Sequence, residues 1–75
     1  MLRKEVILII EKLQKRNKNK KFHISCSNHR FYNGSVLNFD DEDSLIFMDD
    51  VIGWYPILYS LIINIELMRE RWLKL

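Results

Sequence analysis

The chain is expected to fold as a mostly β domain, with one N-terminal α-helix followed by five short, strongly bent antiparallel strands. Three observations predict it. Between Phe22 and Asp50, short apolar runs are cut by turn residues at the spacing of consecutive antiparallel strands. Ahead of them, Leu2, Val6, Ile9, Ile10 and Leu13 recur at helical spacing, with Arg3, Lys4, Glu11, Lys12, Lys15 and Arg16 around the other side. The length of 75 residues suffices for one domain and no more.

In order, residues 1–16 are read as the helix. The run Val6 to Ile10 has the look of a buried strand, and Ile7 and Leu8 spoil the helical pattern. The Glu and Lys residues on both sides are good helix formers and favour the helix. Residues 17–21, NKNKK, form a polar basic linker, and residues 22–67 carry the strands. FHISC puts Phe22, Ile24 and Cys26 at every second position, hence on one face of a first strand. Ser27, Asn28 and His29 make a polar turn. RFYNGSVLNF is a second strand, rich in aromatic and β-branched residues. Gly34 in its interior marks a bulge, a bend or the close approach of another backbone.

Asp40 to Ser44 is an acidic turn and LIFM a third strand, each of the three pairing with the one before it. Gly53 suits a hairpin, and Trp54 to Leu58 suits a fourth strand whose Pro56, lacking an N–H, must face its unbonded side away from the third. Tyr59 and Ser60 turn the chain into a fifth strand, LIINIEL. The tail, residues 68–75, either puts Met68, Trp72 and Leu75 on one side of two helical turns or frays.

Composition narrows the function classes. Cys26 is the single cysteine, which excludes an internal disulfide and a cysteine-rich metal site and fits a reducing cytoplasm. Its place in the strand alternation makes it a small core residue. The run Val6 to Ile10 is far too short to cross a membrane, and no secretory cleavage pattern follows it, so a cytoplasmic protein without membrane contact is expected. His23 and His29, separated by a turn, make no zinc set with one cysteine, and the acids lack the ligand spacing of a calcium loop. His23 alternates away from Phe22 and Ile24, toward solvent or a subunit contact. No nucleophile elbow or glycine-rich phosphate loop is present. The chain is therefore not read as an enzyme, and no cofactor is expected.

Charge is segregated. From Met1 to Gly34 there are nine Lys or Arg against two acids, a balance of +7; from Ser35 to Glu66 there are seven acids and no Lys or Arg, a balance of −7. A basic leader on an acidic body suits a nucleic-acid surface, self-complementary contact between or within subunits, or a merely solvated face.

One helix followed by five short curved strands outlines a small SH3-like barrel, and the residues resemble the Sm and Sm-like family. Gly34, Phe39, Asp40, Leu45, Ile46 and Asp49 match the spacing of its first motif without a gap, and Asn28 matches the polar turn position, with His29 where the family has glycine. Gly53, Ile57, Ile62 and Ile65 match the second motif. The resemblance covers Phe22 to Leu67. It implies a strongly bent five-stranded Sm-fold barrel, single-stranded RNA as partner, and a homo-oligomeric ring of five to seven subunits in which the fourth strand of one pairs with the fifth of the next. An RNA-chaperone or RNP-scaffold role follows from the same resemblance.

Where the family holds RNA bases, this chain carries Glu42, Ser44 and Leu58, followed by Tyr59. Glu42 repels phosphate. Tyr59 stands nearly where a base would stack, although a tyrosine at a strand end more often packs. RNA is then expected to meet the basic leader, at Lys12, Lys15, Arg16, Lys18, Lys20 and Lys21, with Ser44 and Tyr59 at the rim. The alternative is a protein-interaction module. The C-terminal domain of a bacterial ribosome-maturation factor has a similar barrel with an Ile-Pro-like fourth strand, to which Pro56-Ile57 is similar.

Overall fold

The computed structural model describes residues 1–16 and 21–68. Lys18 and Lys20, most of the linker and nearly all of the tail lie outside the described residues.

Helix α1 spans Arg3–Arg16. Its start is fixed locally, because the Leu2 N–H donates to Glu5 Oε1 at 2.9 Å, the backward half of a capping box. Glu5 in the first turn and Lys15 and Arg16 in the last complement the helix dipole. Val6 and Ile10, one turn apart, are fully buried, and Ile9 and Leu13 pack beside them against the core. That stripe settles the Val6 to Ile10 run as helix. Leu2, expected on the apolar face, is 61% exposed because it precedes the first turn.

The strands are β1 (Phe22–Cys26), β2 (Phe31–Asn38), β3 (Ser44–Asp49), β4 (Gly53–Leu58) and β5 (Ile62–Leu67), with a 3-10 turn at Tyr59–Leu61. They form one antiparallel sheet in the order β4-β3-β2-β1-β5. Strands β1 to β4 are a meander, as expected. Strand β5 departs from it, returning to pair with β1, where Ile24 faces Ile65 and Phe22 faces Leu67. The expected fold class holds, one N-terminal helix with a mostly β, five-stranded bent antiparallel sheet; the sheet is not closed into a barrel, and β4 and β5 are its two edges.

The bend sits at Gly34. Residues Phe31 to Gly34 of β2 pair with β1, Gly34 to Asn38 pair with β3, and Gly34 alone faces both Phe22 and Asp49. A Cβ built there would stand 1.9 Å from the Met48 carbonyl oxygen. Of the three readings of this glycine, the structure shows the close backbone approach at Gly34 itself, and the register shift falls further on, between Val36 and Asn38.

Turn chemistry explains the polar segments. Asn38 Oδ1 accepts the Asp40 N–H at 3.1 Å and Asp41 Oδ2 accepts the Asp43 N–H at 3.0 Å, so the acidic turn is folded by two side-chain-to-backbone bonds of the Asx kind. His29 holds φ +66°, the left-handed conformation for which glycine is the usual choice, while the Cys26 N–H donates to the Arg30 carbonyl at 2.8 Å across the same turn.

The β3–β4 turn is built on Asp49, which is buried. Its Oδ1 accepts the Asn33 N–H at 3.0 Å, and its Oδ2 accepts the Val51 and Ile52 N–H groups at 2.9 and 3.1 Å. Gly53 at φ +82° completes the hairpin. Burial alone would push the Asp49 carboxyl up, but the three backbone donors outweigh it and hold its pKa below the usual carboxylate range. A folded pKa lowered in this way contributes stability fully above the unfolded value of about 3.9, and loses it as pH falls through the folded value. Asp49→Ala is expected to cost about 3 kcal/mol at pH 7, since charge-assisted bonds to an aspartate are replaced by donors left without partners. The deficit should shrink in urea titrations repeated at pH 3. A deficit independent of pH would mean that the carboxylate charge contributes nothing.

The core gathers Val6 and Ile10 from the helix with Phe22, Ile24, Cys26, Tyr32, Leu45, Phe47, Ile57, Tyr59, Ile62 and Ile65. In β1 the burial alternates as its sequence does. Pro56 is exposed on edge strand β4 opposite Ile46, which satisfies the requirement that its unbonded side face outward.

Candidate nucleic-acid interface

Lys12, Lys15 and Arg16 stand at i, i+3 and i+4 on α1, so they share one face of its last two turns. All three are exposed, and none makes an ion pair among the described residues. Lys21, the remaining described residue of the expected basic set, behaves differently. Its Nζ lies 2.7 Å from Asp50 Oδ1 in a half-exposed pair that clips the start of β1 to the β3–β4 turn. Such a pair is worth about 0–1 kcal/mol to the fold. It also takes part of the Lys21 charge away from any phosphate.

The expected rim residues separate. Ser44 is buried as the first residue of β3, paired with Leu58, and does not present its hydroxyl to a nucleic acid. Tyr59 is 3% exposed, so its ring belongs to the core and offers no face to a stacking base in this chain. The packing alternative therefore describes Tyr59, because the 3-10 turn after β4 swings it inward instead of continuing the strand. Its hydroxyl is buried without a hydrogen-bond partner of good geometry. Burial pushes the phenol pKa up, while the nearby Arg3 guanidinium pulls the other way.

Around Tyr59 the fold assembles a hollow of about 410 Å³, lined by Leu2, Arg3, Glu42, Asp43, Leu58 and Ser60 among others. Glu42 and Leu58 were expected at this rim; Arg3 was not. It arrives because α1 starts beside the acidic turn, with Arg3 Nη2 donating to the Phe39 carbonyl at 2.7 Å. The Met1 amino group is also nearby, donating to the Tyr59 and Ile62 carbonyls at 3.0 and 2.8 Å. No sequence pattern links residues 3 and 59, so pattern reasoning had no signal for this meeting.

Cys26 is buried, and burial pushes its thiol pKa up against a smaller opposing effect of the N-terminal ammonium, which fits a packing role. His23 is half-buried rather than directed freely to solvent: its Nδ1 shares a hydrogen bond with Asn33 Oδ1, and its ring lies 5.4 Å from that of Phe31. No group of three or more His, Cys, Asp or Glu residues suited to a metal occurs among the described residues. No helix among them is long and apolar enough to cross a membrane.

Fold and surface thus define a small bent antiparallel sheet with one helix against it, a basic helix face and an acidic turn at the other end of the helix. Compared with known proteins, the chain matches no family model, no curated protein and no solved structure.

Proposed function

We propose that the chain is an Sm-like subunit that assembles into a homo-oligomeric ring of five to seven copies in the cytoplasm and binds single-stranded RNA without catalysis, as an RNA chaperone or RNP scaffold. The observation that carries the reading is the open sheet. Strands β4 and β5 are the two unpaired edges, and they are the strands by which the resembled family joins its subunits. Pairing them between copies would cover both edges, which otherwise template aggregation. Pro56 would interrupt one main-chain bond along that seam.

Lys12, Lys15 and Arg16 supply the RNA contacts in this reading, with Lys18 and Lys20 beside them in sequence and Lys21 contributing less because of Asp50. Phosphate contacts release counterions, so affinity should fall with salt and show little base preference. Replacing Lys12, Lys15 and Arg16 together by Gln is expected to weaken binding of U-rich and A-rich strands alike. It should also lower the steepness of log affinity against log salt by about 2, at roughly 0.7 per phosphate contact on a single strand. Fluorescence titrations at several salt concentrations measure both. Equal affinities for wild type and variant would reject the helix face as the binding surface.

Solution mass separates this reading from the protein-interaction module, for which the exposed Pro56 on an edge strand is the supporting feature. A ring favours the first and a monomer the second.

A further inference from the structure

The face of the sheet turned away from the core carries a second surface that RNA binding does not use. In antiparallel ladders, residues directly opposite one another share a face, which puts Ser35, Met48 and Trp54 in one outward row. Phe31 lies two pleats before Ser35 on the same face of β2. The β3–β4 turn joins this row at its end through Val51 and Ile52. Exposure is 62% for Phe31, 40% for Met48, 90% for Val51, 58% for Ile52 and 59% for Trp54. A hairpin turn is ordinarily polar. Here its tip is two β-branched aliphatics, held in that position by the bonds from their own N–H groups to the buried Asp49 carboxylate.

We infer that this face is where two copies of the chain meet about a two-fold axis. Size supports a contact: scaling a full area of about 200 Å² per large side chain by these exposures, the five offer roughly 600 Å² per subunit, somewhat below the ~800 Å² per partner of a standard interface. Shape supports self-association. Beside the Val51–Ile52 ridge lies a hollow of about 450 Å³, whose other wall is His29, Arg30, Phe31 and Asn33. A surface with a ridge and a hollow side by side is complementary to a rotated copy of itself, the requirement of an isologous contact.

Charge does not oppose this partner. Exposed Arg30 stands on one wall, Asp50 before the ridge is paired with Lys21, and Asp49 is buried under its three N–H donors. The patch is thus mainly apolar and carries no single-sign field that would keep two copies apart. The contact lies on the outer face and not along the β4 and β5 edges, so it is independent of ring closure and adds to it, joining two rings back to back if rings form.

The test is the mass of wild type and of Val51→Glu/Ile52→Glu, by light scattering at micromolar concentration. Both positions are exposed, and an unchanged circular dichroism spectrum would establish that the variant is folded. The expected result is a mass that halves in the variant, from double to single ring, or from dimer to monomer if the ring reading fails. In a Trp72→Phe background, Trp54 emission should shift to the red in the same variant as its ring becomes hydrated. If Val51→Glu/Ile52→Glu were to misfold, Phe31→Ser in its place should give the same halving. Equal masses for wild type and the folded variant, or a monomeric wild type, would overturn the inference.

Discussion

Gly34→Ala is expected to abolish the cooperative fold, and Gly34→Val to do so more completely. The added Cβ would stand 1.9 Å from the Met48 carbonyl oxygen, 2.9 Å from its carbon and 3.1 Å from the Asp49 Cα. All three obstacles are backbone, so no side chain can rotate away and β3 itself must retreat. Ordinary overpacking costs about 1–3 kcal/mol because neighbours yield. Here yielding would break the β2–β3 ladder at Gly34–Asp49 and carry Asp49 away from the Asn33 N–H that it accepts. Gly34 also faces Phe22 on the other side, so both halves of the sheet lose their common residue. With a total stability of about 4–11 kcal/mol for a chain of this length, little would remain. Thermal melting followed by circular dichroism decides the matter. An unchanged melting temperature for Gly34→Val would mean that β2 and β3 are not paired as described.

Phe47→Ala should be the most damaging of the core truncations. The side chain is fully buried on the inner row of the sheet, opposite Val36 on one side and Tyr55 on the other, and Tyr55 in turn stacks on Tyr32 with ring centroids 5.2 Å apart. Removing it costs about 3–5 kcal/mol as lost transfer energy plus an unfilled cavity. Phe39, which from sequence occupies the matching position of the first Sm-like motif, is only partly buried at the edge of the core. Its truncation is expected to cost less, about 2 kcal/mol. Urea denaturation of both variants gives the comparison directly. A larger loss for Phe39→Ala would show that the inner face of the sheet is misassigned.

If the ring reading holds, the segregation of charge along the chain has a structural counterpart. The helix begins at the acidic turn, where Arg3 reaches the Phe39 carbonyl, and runs about 1.5 Å per residue toward Lys12, Lys15 and Arg16, so the basic face ends roughly 20 Å from the acids. Phosphate would meet the helix end without approaching Asp40 to Asp43. The Lys21–Asp50 pair is the one ion pair among the described residues, so none among them joins the basic helix face to the acidic turn.

What the amino-acid sequence determined by itself was local. The alternation in Phe22 to Cys26 reappears as alternating burial, Val6 and Ile10 one turn apart mark the buried stripe of α1, Gly34 announces a close approach and Pro56 an edge. Each of these is legible because side-chain direction repeats every two residues in a strand and every 3.6 in a helix, so neighbours a few positions apart carry the information.

Only the tertiary structure decided which strands meet at long range. The return of β5 to β1 and the sheet left open between β4 and β5 belong here, with Tyr59 and Ser44 drawn into the core and Lys21 paired with Asp50. So does the hollow that joins Arg3 to Glu42 and Tyr59. These depend on contacts between residues tens of positions apart. Their free energy comes from burying the same apolar surface in one of several topologies, and no short-range period distinguishes one topology from another.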